Sequence, residues 1–96
     1  MANPYYALRR IRRARSSLPT PPPVRFETRR EGYETILTAV HDLAGGDAVD
    51  DVAGWIIVQT VHDGALPPAD TVRRRAVSLL NTYDVSIPDG SPLLNE

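Results

Sequence analysis

Residues 33–64, YETILTAVHDLAGGDAVDDVAGWIIVQTVHDG, decide the fold class. Tyr33, Ile36, Leu37, Val40, Leu43 and Ala44 recur at spacings of three and four, one face of a 3.6-residue period, and the pattern stops at Gly45-Gly46. Past the glycines, Asp50 or Asp51 stands as an N-cap before Val52, Trp55, Ile56, Val58 and Val61. That run is apolar on nearly every side until Gly64 ends it, so it predicts a central, mostly buried helix. Two helices are therefore expected, the first ending at the glycine pair and the second opening at Asp50 or Asp51.

Working outward, Leu66-Pro67-Pro68 reads as a short turn, and Pro68 or Asp70 opens a third helix with Val72, Ala76, Leu79, Leu80 and Tyr83 facing inward. Upstream, Thr28 stands three residues before Glu31, the spacing of a capping box. The expectation is all-α: a small three-helix body over about 27–45, 51–63 and 68–84, with no strand. Pro88, Gly90 and Pro92 make the tail over 86–96 irregular.

The N-terminal end has a different character. Asn3-Pro4 reads as N-cap and first helical position. Tyr5, Leu8, Ile11, Ala14 or Arg15, and Leu18 form a narrow apolar stripe, with Arg9, Arg10, Arg12, Arg13 and Arg15 around it. This is a basic amphipathic helix. Pro19, Pro21, Pro22 and Pro23 cannot continue it, and PTPPP predicts a stiff polyproline II spacer that holds the helix away from the body unless something brings the two together. The expected organisation is a basic arm over 1–18, a Pro-rich linker over 19–26, a helical domain over 27–85 and the tail.

The formal net charge of -1 conceals a split. Residues 1–30 hold eight arginines against Glu27, net +7, whereas residues 31–96 hold three arginines against eleven acids, net -8. At 96 residues one domain is the limit, and the lack of cysteine removes disulfides and thiolate metal sites. The longest apolar run, Val52–Val58, is far short of the roughly 20 residues of a membrane span. No apolar segment of signal-peptide type follows the basic end, so the chain reads as cytoplasmic.

Catalytic constellations are sparse. His41-Asp42 and His62-Asp63 would supply a two-histidine, two-carboxylate metal site if their helix ends met. The simpler account is that a histidine in a last turn interacts favourably with the helix dipole. Neither histidine has a second ligand type four residues away on its helix, so neither a metal nor another cofactor is expected. The Val-His-Asp shared by the two sites is a helix-end coincidence rather than a repeat. There is no Gly-x-Ser-x-Gly elbow and no phosphate-cradling glycine loop, so an enzyme is not expected.

The segment from Asp50 to Val85, helix, short turn, then DTVRRRAVSLL, resembles the second half of helix-turn-helix DNA-binding domains. In that family the exposed residues opening the second helix meet base edges and phosphates. The resemblance, over about a third of the chain, implies that role for Thr71, Arg73, Arg74 and Arg75.

For the arm, Arg9, Arg10, Arg12, Arg13 and Arg15 suit contacts with successive phosphates, and Tyr5 and Tyr6 suit stacking on bases. An acidic protein surface is the competing partner, and an anionic membrane surface ranks third because the stripe is thin. The expected function is a small non-enzymatic nucleic-acid-binding protein with a helix-turn-helix-like body, of the kind that regulates transcription, self-associating through the apolar second body helix. The alternative is a structural or adaptor subunit of a virus particle or other large assembly, located within that particle, whose arm docks onto neighbouring subunits.

Overall fold

The computed structural model describes residues 4–20 and 24–94; the expected Asn3 cap, Pro21, Pro22 and Pro23 of the spacer, and the last two tail residues lie outside them. The chain is all-α, with helices α1 (Pro4–Ser16), α2 (Phe26–Ala44), α3 (Gly46–Asp63) and α4 (Ala69–Thr82), then a 3-10 turn at Pro92–Leu94. The helical class expected from the periodicity is the one observed.

Only Gly45 separates α2 from α3. Its φ of 85° lies in the region open to glycine, and its N–H closes the end of α2 on the His41 carbonyl at 2.9 Å. Because the break takes one residue, α3 starts at Gly46 and not at Asp50 or Asp51. Ala48 and Val49 need helical geometry there to enter the core, and Asp47 places a negative charge in the first turn. Likewise α2 begins at Phe26, buried, with Arg25 as an N-cap that makes no side-chain bond, so Thr28 lies inside the first turn and does not cap it.

The larger correction concerns α1. The spacer does not hold it away: α1 packs against both α2 and α3, and Ala7, Leu8 and Ile11 are buried in the common core. The physical reason is apolar burial. The stripe that makes the helix amphipathic covers the flank of the α2–α3 hairpin, which a three-helix body leaves exposed. The stripe is also rotated from its expected position. On a wheel centred on Ile11, Ala7 lies about 40° away and Tyr5 about 120° away. Ala7 is accordingly buried and Tyr5 is 51% exposed.

On the opposite flank, α4 folds back along α3. Arg75 lies over the Trp55 ring and the Tyr83 hydroxyl donates to Asp51, so the end of α4 is level with the start of α3. Val72, Ala76 and Leu80 enter the core, Leu79 is half-buried, and Tyr83, expected to face inward, is exposed with its hydroxyl on Asp51. That bond raises the Tyr83 phenol pKa, with smaller contributions from partial desolvation and the Asp51 charge. Gly32 permits close approach of α2 and α4, since a Cβ there would lie 2.8 Å from Ala69 Cβ. Tyr33, fully buried, donates to the Pro67 carbonyl and ties the α3–α4 turn to α2, and burial pushes its phenol pKa well up.

Among the described residues α1 and α4 do not pack on each other, and the α2–α3 pair lies between them. With flanks and base covered, the remaining face of α3 is open: Val58 is 62% and Val61 59% exposed. The mostly buried helix expected from composition is thus buried on three sides only. The tail over 86–94 contains the short 3-10 turn, and Leu93 is a core residue.

Candidate nucleic-acid interface

The expected site arginines fall on two surfaces. On α1, Arg9, Arg12 and Arg13 are exposed, while Arg10 and Arg15 are half-buried. Arg10 reaches Asp50 of α3 at 3.8 Å, linking basic helix to acidic body. Tyr5, Leu8, Arg9 and Arg12 stand at i, i+3, i+4 and i+7, so they share a face, and it looks onto Phe26, Glu27 and Arg30 at the start of α2.

These seven residues line a groove of about 330 Å³. Its floor is Leu8 and Phe26, both buried; its wall includes the exposed Tyr5; its rim carries the guanidiniums of Arg9, Arg12 and Arg30. One carboxylate, Glu27, opposes them. It lies 3.6 Å from Arg12 and 3.9 Å from Arg25, all three side chains more than half exposed. The Glu27 pKa is held below its ordinary value, first by a hydrogen bond to its own backbone and then by the charges of Arg25, Arg12 and Arg15.

Arg25, Arg29 and Arg30 were not singled out from sequence. Their charge is part of the +7 count, but Arg25 falls in the expected linker and Arg29 and Arg30 in the expected helical domain, apart from the arm. Only the docking of α1 sets Arg30 opposite Arg9 and Arg12.

The second surface is α4. Arg73 is largely withdrawn, its side chain 16% exposed, bonding Asp70 at 2.8 Å and the Leu93 carbonyl at 2.9 Å. Arg74 reaches the same Asp70 at 3.5 Å, and the Arg73 hydrogen bond, ahead of the two charges, lowers the Asp70 pKa. Arg75 is exposed with its guanidinium 5.9 Å from the Trp55 ring centre, and Thr71 is half-buried. Arg74 and Arg75 therefore present charge to solvent, whereas Arg73 fastens the tail.

At the helix ends, His62 bonds its neighbour Asp63 at 2.8 Å, and His41 is half-buried near the end of α2. Among the described residues no group of three or more His, Cys, Asp or Glu gathers as a metal cluster, and no helix is long and apolar enough to cross a membrane. No protein-family model matches the chain, and neither a curated protein nor a solved structure matches it.

Proposed function

We propose that this is a small non-enzymatic nucleic-acid-binding protein that grips the phosphate backbone with the surface shared by α1 and the start of α2. The observation that carries this reading is the meeting of Arg9, Arg12 and Arg30 on one groove against the single carboxylate of Glu27. Guanidinium forks match phosphate geometry, and releasing counterions from the polyanion drives binding. Exposed Arg25, beside Glu27 at the N-terminus of α2, extends the patch. Arg74 and Arg75 are a secondary contact in this reading, the one that the helix-turn-helix resemblance supplies, and the acidic residues elsewhere orient the molecule with α1 toward the nucleic acid.

The test is fluorescence anisotropy of labelled random-sequence strands and duplexes across a salt series. Replacing Arg9, Arg12 and Arg30 together by Ala should flatten the slope of log affinity against log salt by about two, since each phosphate contact contributes roughly 0.7 to 0.9. Replacing Arg74 and Arg75 should cost less. Absence of binding at low salt, or an unchanged slope in the triple variant, refutes the reading.

The alternative, a subunit of a virus particle or large assembly, draws on a different surface, the exposed Val58 and Val61 of α3. It requires oligomers in sedimentation analysis that Val58→Asp disperses and, in contrast to the nucleic-acid reading, which also allows self-association through this helix, no affinity for nucleic acid.

A further inference from the structure

We infer that the α1–α2 groove takes an unpaired nucleobase, so that the protein selects single-stranded over double-stranded nucleic acid. The inference rests on the nucleic-acid reading above and adds the strandedness of the ligand. A surface that only followed phosphates would need cations along a groove and no apolar floor. This one is concave: its floor is apolar, Leu8 and Phe26, and an aromatic side chain, Tyr5, stands half exposed at its wall. The guanidiniums are confined to the rim.

Volume and chemistry agree. About 330 Å³ lies at the small end of ligand pockets, which run from roughly 300 to 1,000 Å³, and has room for one base. In a duplex the bases are stacked and paired, and a convex backbone would touch only the rim. In a single strand a base can splay out, stack on Tyr5 and cover the apolar floor, while its flanking phosphates meet Arg9, Arg12 and Arg30. Glu27 lies between Arg12 and Arg25 at the mouth, so an entering phosphate displaces a carboxylate rather than meeting bare cations.

The experiment compares a labelled oligothymidylate of about 12 nucleotides, a length within the usual range of single-strand sites, with a duplex of equal length at one low salt concentration. Tighter binding of the strand is expected. Tyr5→Ala should lower affinity for the strand about tenfold, the usual loss of one base stack, and leave the duplex unchanged, while Tyr5→Phe retains the preference. Tyr5 is exposed, so the fold survives both changes, and circular dichroism checks this. Equal or tighter duplex binding, or a Tyr5→Ala loss that is the same for both probes, overturns the inference while leaving the phosphate-binding reading intact. Failure of both probes to bind overturns the two together.

Discussion

Ile11→Ala measures whether the basic helix belongs to the core. Ile11 is fully buried where α1 meets the α2–α3 hairpin. The change removes three carbon groups, worth about 0.8 kcal/mol each, or about 2.4 kcal/mol of transfer free energy. A cavity term is added because the flanking helices close on the gap only in part, which brings the expected loss to about 3 kcal/mol. For a domain of this size each kcal/mol shifts Tm by roughly 4–8 °C, so Tm should fall by about 15 °C. Urea and thermal unfolding followed by far-UV circular dichroism read both quantities, and Tyr6→Ala, at an exposed position of the same helix, is the control and should stay within about 0.5 kcal/mol. A loss below about 1 kcal/mol for Ile11→Ala would refute the reasoning: α1 would then be an arm attached to a body that folds without it. The outcome bears on function too, because the groove exists only while α1 is docked.

Two glycines in α-helices should respond in opposite directions. Gly32→Ala gains about 1 kcal/mol of helix propensity but forces a Cβ to 2.8 Å from Ala69 Cβ, and overpacking of that kind costs about 1–3 kcal/mol, so a net loss is expected in urea unfolding. Gly54→Ala meets open space in the middle of α3 and should stabilise by about 0.5–1 kcal/mol in the same assay. Arg73→Ala should free the tail: Leu93 loses the donor to its carbonyl, about 1.5 kcal/mol for a charge-assisted bond, and the amides of Ser91, Leu93 and Leu94 should lose hydrogen-exchange protection before the rest of the chain. The Asp70 pKa is lowered in the folded state, so its contribution is present above the ordinary carboxylate range near pH 4 and is lost as pH falls; Asp70→Asn should flatten the acid limb of the stability profile.

What the sequence determined by itself is what local periodicity and chain chemistry control. The stripes of Tyr33 to Ala44 and Val72 to Leu80 specify α2 and α4, glycines end α2 and α3, and prolines end α1, because a helix records its buried face in residues three and four apart and its ends in residues that cannot continue it. The charge split was equally legible. Helix starts were less so: α3 opens at Gly46 rather than at Asp50 or Asp51 because burial of Ala48 and Val49 outweighs the better cap. Where α1 lies was decided by tertiary structure. A proline-rich spacer sets local stiffness, but whether a stripe faces water or a neighbouring helix depends on an apolar flank that only the assembled α2–α3 hairpin presents. The same docking turns arginines from two predicted units into one rim, and brings Arg73, read as a surface cation, under the tail carbonyl of Leu93. Such contacts join residues far apart in the chain, and no short-range pattern encodes them.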